Sequence, residues 1–293
     1  MSRLESLLGK GLVITDGAWG TEFQKRSLPL GQSPDLWNLS RPEAVLSVAS
    51  SYVEAGSQVI LTNTFRGNSV ALAGHADVEQ AFEINRRGAA LSKEAAGDRA
   101  RVFGSMGPTG KVLAAGEIEA QTVTEAFRRQ AEALAAGGAD ALLFETFSDV
   151  EEARLAVQAA QPTGLPIVVS FAFDSGKKKD RTMMGQNPEA VARAMAEAGV
   201  DAVGANCGAG PEHFPSICRR LKDASGLPVW IKPNAGMPTL EDGRAVYTMS
   251  PGVFASYLPA LVEAGASFVG GCCGTSPAFV QALVRAAASC ASS

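Results

Sequence analysis

Four stretches of this sequence share one alternation of apolar and polar positions. In EAGSQVILTNT (54–64), AAGGADALLFET (135–146), EAGVDAVGANC (197–207) and EAGASFVGGCC (263–273), an alanine-glycine step precedes a short apolar run that ends in a polar or sulfur-bearing residue. Gly56, Gly138, Gly199 and Gly265 stand where a helix closes on a left-handed residue, and the apolar runs after them are too short for helices but suit strands buried on both faces. Further runs at 12–16, 102–104, 167–171 and 229–232 bring the expected strands to eight. Helix starts fall between them. Ser40 to Glu43, Thr122 to Glu125 and Ser148 to Glu151 have the spacing of capping boxes, and Asn187-Pro188, Ser250-Pro251 and Ser276-Pro277 put proline at a first helical position. One face of the helix after Pro251 is expected to carry Val253, Phe254, Tyr257, Leu258, Leu261 and Val262, with a kink at Pro259.

Eight strands alternating with helices, with no linker-like shift in composition, predict an α/β fold: a single (β/α)8 TIM barrel in one domain over residues 1–293. A doubly wound open sheet is the competing arrangement. In a barrel, chemistry collects at the C-terminal ends of the strands. Those ends read Asp16-Gly17, Thr62-Asn63-Thr64, Ser105-Met106-Gly107, Glu145-Thr146, Asp174, Asn206-Cys207, Lys232-Pro233-Asn234 and Cys272-Cys273. The strand bodies are apolar while their tips are polar or sulfur-bearing, which places a functional mouth on one face.

Cys272 and Cys273 are neighbours in FVGGCCGT. Adjacent Cα atoms, about 3.8 Å apart, make a poor disulfide, and on an extended strand the two side chains would point to opposite faces. They can share a target only where the strand has broken into a turn, which Gly270, Gly271 and Gly274 permit. Cys207 ends strand six and the pair ends strand eight, and strands about 4.8 Å apart bring three sulfurs within reach of one ion. Three thiolates favour zinc, and three protein ligands leave a fourth position open, as in catalytic zinc sites. A thiol entering that position would lose its proton at neutral pH and stay nucleophilic. Cys218 recurs at helical spacing with Phe214, Ile217 and Leu221 and reads as an inert core thiol, and Cys290 as a free thiol in the small-residue tail AAASCASS. His75 and His213 are the only histidines.

Composition narrows the class. The chain is 46% hydrophobic and 19% charged with a net charge of −4, which gives a sizeable core and no broad basic face for nucleic acid. The basic run Lys177-Lys178-Lys179-Asp180-Arg181 reads as a solvated loop. The N-terminal MSRLESLLGKG lacks the apolar run of a signal peptide and no stretch approaches 18 apolar residues, so the expectation is a cytoplasmic protein without membrane contact.

The motifs DGAWGTE (16–22), ILTNTF (60–65), GPTG (107–110), FETFSD (144–149), GANCG (204–208), PNAG (233–236) and GGCCGT (270–275) together resemble the homocysteine S-methyltransferases. The resemblance covers almost the whole chain. It implies a zinc-dependent barrel that methylates homocysteine to methionine, with Cys207, Cys272 and Cys273 matching the Zn2+ ligands. It further implies that Asp16 and Glu145 hold the substrate ammonium, that Gly20 and Thr21 receive its carboxylate, and that Asn234 resembles the residue filling the open zinc position before substrate arrives. The implied partners are homocysteine and a methyl donor: betaine or another onium compound, or methylcobalamin carried by a corrinoid partner protein. The chain lacks a D-x-H-x-x-G cobalamin loop. An onium donor would want aromatic walls, for which Trp19, Trp37, Phe147 and Tyr247 are candidates. Arg66 stands where animal-type betaine enzymes carry tyrosine, and Arg181 falls in a loop near the mouth. Two other readings stay open. One is an acceptor subunit active only with a corrinoid protein. The other is a barrel lyase or aldolase with Lys232 as the Schiff-base residue.

Overall fold

The structure, a computed structural model, describes residues 3–9, 11–29, 31–241 and 244–291. Its sheet has eight parallel strands: β1 (Val13–Ile14), β2 (Val59–Leu61), β3 (Arg101–Met106), β4 (Ala141–Phe147), β5 (Ile167–Phe171), β6 (Ala202–Asn206), β7 (Val229–Lys232) and β8 (Ala266–Val269). Each strand from β2 to β8 pairs with the next, and β8 pairs with β1. A bridge between Thr15 and Val59, with Gln58 N donating to Ile14 O at 2.8 Å, closes the ring between β1 and β2. The fold is therefore a (β/α)8 barrel. Helices Pro42–Glu54, Val78–Ala96, Ala120–Ala136, Val150–Ala160, Pro188–Glu197, Phe214–Ser225, Pro251–Ala255 with Leu258–Glu263, and Pro277–Ala291 follow the strands in turn. Among the described residues no helix is long and apolar enough to cross a membrane.

The glycine punctuation works as the sequence predicts. Gly56, Gly138, Gly199 and Gly265 each take a left-handed φ, between 77° and 98°, just after a helix end. Asn187 and Ser250 accept hydrogen bonds from the N–H groups of Ala190 and Val253, so both proline-led helices are capped as expected, and a helix starts at Pro277. The three capping boxes fare worse. Ser40 bonds back to Leu36 O inside a preceding short helix, Thr122 lies within a helix already begun at Ala120, and Asp149 rather than Ser148 caps the helix at Val150. A serine or threonine three residues before a glutamate marks a cap only where the backbone is still extended. The chain does use a full capping box at Asp77 and Gln80. Near Pro259 the helix breaks at 256–257 rather than kinking, and Val253 and Val262 face solvent, while Phe254, Leu258 and Leu261 are buried. Restarting the helix after the break rotates its apolar face.

Strand parity decides what looks inward. The rings of Phe103, Trp230 and Phe268, from β3, β7 and β8, meet at centroid distances of 5.3 to 6.4 Å, which strands on opposite walls can manage only through the interior. With a period of two, Ser105 then stands above Phe103 and Lys232 above Trp230, also pointing inward. Phe127 of an outer helix packs instead on Phe144 and Phe147, on the other face of β4. The interior is thus plugged by aromatics at one level and turns polar at the next.

Candidate active site

The paired cysteines lie just past β8, where hydrogen bonding shifts from the strand ladder to the surrounding loops. Gly271 N donates to Asp16 O at 3.0 Å, Cys272 N to Pro233 O at 2.7 Å, and Thr275 N and Oγ1 to Cys272 O at 3.1 and 2.7 Å. Gly274 takes φ 82°, and a Cβ there would lie 2.2 Å from the Tyr247 ring, so only glycine suits the turn. Out of extended geometry, both thiols reach one side. Cys207 meets them from β6 in a left-handed conformation, φ 61°, its N–H donating to Lys232 O at 3.0 Å. A non-glycine residue held there stores strain that the surroundings must fix.

The sulfurs of Cys207, Cys272 and Cys273 all lie within 4.8 Å of one another, and those of Cys207 and Cys273 are 3.9 Å apart. A tetrahedral ion with Zn–S bonds of about 2.3 Å requires S···S edges of about 3.8 Å. The donor set and its spacing fit such an ion. Thiol hydrogen bonds from Cys272 and Cys273 push Cys207 down to about 3, while hydrogen bonding to Cys207, with burial, holds the other two above the usual thiol range. The cluster thus favours ionisation at Cys207, and the thiolate is the form that binds a metal ion. Cys218 is apart from it, buried and pushed up to about 12 by burial. The Cys290 side chain lies outside the described residues.

Beside the sulfurs opens a cavity of about 330 Å3, lined in part by Trp19, Gly20, Thr21, Phe65, Glu145 and Lys232. Glu145 is 8% exposed, and its Oε1 accepts from Ser105 Oγ at 2.5 Å. Burial raises its carboxyl above the ordinary range against the opposing pull of Lys232 and Ser105. Lys232, 2% exposed, donates to Asp16 Oδ1 at 2.5 Å. Burial alone would lower this ammonium, yet Asp16 and Glu145 outweigh it and raise it, so Lys232 stays charged.

The predicted site residues divide in two. Cys207, Cys272, Cys273, Glu145, Gly20 and Thr21 line the cavity. Gly20 and Thr21 sit in the first turn of helix Trp19–Lys25, whose leading N–H groups have no partner within the helix, and Thr21 Oγ1 accepts from Gly274 N at 3.3 Å. Asp16 and Asn234 lie behind the wall. Both oxygens of Asp16 are engaged, Oδ1 by Lys232 and Oδ2 by Trp19 Nε1 and Leu61 N at 2.7 Å each. Asn234 Oδ1 accepts from Cys273 N at 3.1 Å, which fixes the cysteine turn. Of the aromatic candidates, Trp19 faces the cavity and Tyr247 covers the turn, while Trp37 and Phe147 are core residues. The Arg66 side chain is exposed, and Arg181 bonds within its own loop.

Residues 13–287 match the family model described as homocysteine S-methyltransferase. The chain belongs to the homocysteine S-methyltransferase family. Methionine synthase of Mycobacterium tuberculosis is 32% identical over 302 residues, which is 97% of this chain, and that of Mycobacterium leprae 31% over 300 residues, also 97%. The chain spans 25% of the length of these curated relatives. Among solved structures, the metallated form of the homocysteine methyltransferase MmuM from Escherichia coli superposes with a TM-score of 0.81 at 26% identity, covering 97% of this chain and 99% of that one.

In this member of the homocysteine S-methyltransferase family, two cavity-lining residues, Ser105 and Thr146, had no role assigned from the sequence. Ser105 was signalled by its parity with Phe103 in RVFGSM. Thr146 was not. It breaks the β4 register with φ 63° and is held by Asn206, whose place beside Cys207 in GANCG was the only hint.

Proposed function

We propose that this protein is a zinc-dependent enzyme that transfers a methyl group to homocysteine to form methionine. The observation that carries the reading is the convergence of three thiols and one buried carboxylate on a single cavity. Cys207, Cys272 and Cys273 would hold the ion. Zinc bound there supplies a position where a thiol loses its proton at neutral pH and remains nucleophilic. Glu145, fixed by Ser105, takes the substrate ammonium, and Asp16 acts indirectly, by holding the Lys232 ammonium in a buried pair behind the cavity wall. The leading N–H groups of helix Trp19–Lys25 receive the substrate carboxylate, and the donor approaches from the mouth.

The aldolase reading loses its nucleophile, because a Schiff-base lysine must be deprotonated and Lys232 is held charged between two carboxylates. The test is an assay of zinc-loaded protein and homocysteine with betaine, S-methylmethionine, S-adenosylmethionine or methylcobalamin. Methionine from a small onium donor would establish a self-sufficient enzyme. Methionine only when a corrinoid protein is added would make the chain its acceptor subunit, as kinship with methionine synthases supports. No methionine under any condition would refute the reading.

A further inference from the structure

Asn206 is fully buried at the end of β6, and its amide is bonded in four directions. Oδ1 accepts from Thr146 N at 2.9 Å and from Ser170 Oγ at 2.6 Å. Nδ2 donates to Thr146 Oγ1 at 2.7 Å and reaches Cys272 Sγ at 3.9 Å. Two of the four non-glycine residues found at left-handed φ among the described residues flank these contacts: Thr146, next to Glu145, and Cys207, next to Asn206 itself. The β4 register shifts between Phe144 and Phe147, so the bulge that presents Glu145 is the segment whose backbone and hydroxyl Asn206 clasps. An amide is the side chain this place requires, since one end must accept two hydrogen bonds while the other donates to a hydroxyl and a sulfur.

We infer that Asn206 is a positioning residue that ties the thiol cluster to the ammonium-binding carboxylate, setting the position of Cys272 and of Glu145 through one side chain. The inference rests on the proposed roles of both groups. An N–H directed at a ligand sulfur spreads part of the thiolate charge and fixes its direction, as partners behind a metal's ligands commonly do. The clasp on Thr146 holds the bulge, and therefore the distance between the substrate's sulfur and its amine.

Two substitutions separate these actions. Asn206→Ala removes both. Asn206→Asp keeps an acceptor for Thr146 N and Ser170, lets the Thr146 hydroxyl turn and donate, and replaces the donor to Cys272 with a carboxylate oxygen. The readouts are zinc affinity, by competition with a chromophoric chelator, and the ratio of affinities for homocysteine and 4-mercaptobutyrate, which lacks the amine, at saturating zinc. In Asn206→Ala zinc affinity should fall about 10- to 100-fold and the affinity ratio should collapse toward one. In Asn206→Asp zinc affinity should fall at least as far while the ratio stays near that of the parent. A merely structural residue would weaken folding without this split. Parental zinc affinity in Asn206→Asp overturns the inference, and it remains decisive if the alanine variant fails to fold. An unchanged ratio in a folded Asn206→Ala overturns the tie to Glu145. A parent protein that does not prefer homocysteine over 4-mercaptobutyrate would instead sink the proposed role of Glu145, a different result from either.

Discussion

Replacing Glu145 with glutamine isolates one charge. The amide oxygen can still accept the Ser105 hydroxyl bond that Oε1 accepts at 2.5 Å, and the side chain keeps its length and its place beside the cavity. What disappears is the negative charge proposed to meet the substrate amine. A hydrogen bond to a charged group contributes about 1.5 to 3 kcal/mol, so homocysteine should bind about 10- to 150-fold more weakly. The zinc content should not change, because Glu145 is not among the clustered thiols. Nor should the fold suffer. Burial raises the Glu145 carboxyl in the folded protein, so the group's stability contribution is greatest at acid pH and is lost as pH rises through its folded value. Burial favours the neutral form of this side chain, which glutamine mimics. Isothermal titration of zinc-loaded protein with homocysteine, beside metal analysis and a thermal melt, reads all three quantities. Normal homocysteine affinity with much slower turnover and a lost limb in the pH–rate profile would refute the reasoning, because Glu145 would then be an acid or base rather than an ammonium site.

The other predictions concern the metal, the buried ion pair and the loop above the cavity. Serine at Cys207, Cys272 or Cys273 should abolish the binding of about one zinc per chain, whereas Cys218→Ser, whose thiol lies near Leu261 O and Ala264 O, should retain it; full zinc content in Cys273→Ser would overturn the ligand assignment. Lys232→Met leaves the fully buried Asp16 unpaired and should cost about 3–5 kcal/mol in urea unfolding, part of it recovered by adding Asp16→Asn; a loss below about 1 kcal/mol would mean that the pair is not integral to the barrel. Asp35, raised to about 6 by burial, accepts from Ser33 Oγ at 2.7 Å and Arg66 N at 3.0 Å and so ties two mouth loops together. Its stabilising contribution is fully present below about pH 3.8 and is lost as pH rises through about 6. The parent should therefore gain stability relative to Asp35→Asn on acidification from pH 7 to pH 5, and parallel melting curves across that range would contradict the shift.

The sequence alone determined the barrel and which polar and sulfur-bearing groups stand at its mouth, because both are written in short-range pattern. A helix-closing glycine, a doubly buried strand and a polar tip fit within about a dozen residues, and repetition of that unit admits few ways to bury its faces. The cysteines were legible because three thiols at two strand tips have little other use, and Glu145 because it follows the apolar run ALLF. Side-chain partnerships were not legible, since they depend on residues far apart in the chain. Asp16 and Lys232 are 216 positions apart, and only closure of β1 against β8 and β7 lets Lys232 pair with the carboxylate that the motif DGAWGTE had offered to the substrate. Asn234 likewise gained its task from Cys273, 39 residues on. The bulge at Thr146 and the four-way bonding of Asn206 leave almost no local trace: a threonine at φ 63° is costly by itself and is held there from β6, the next strand but one. Local pattern thus chose which groups reach the mouth, while tertiary packing decided which of them remain free to meet a substrate and which are spent holding the others in place.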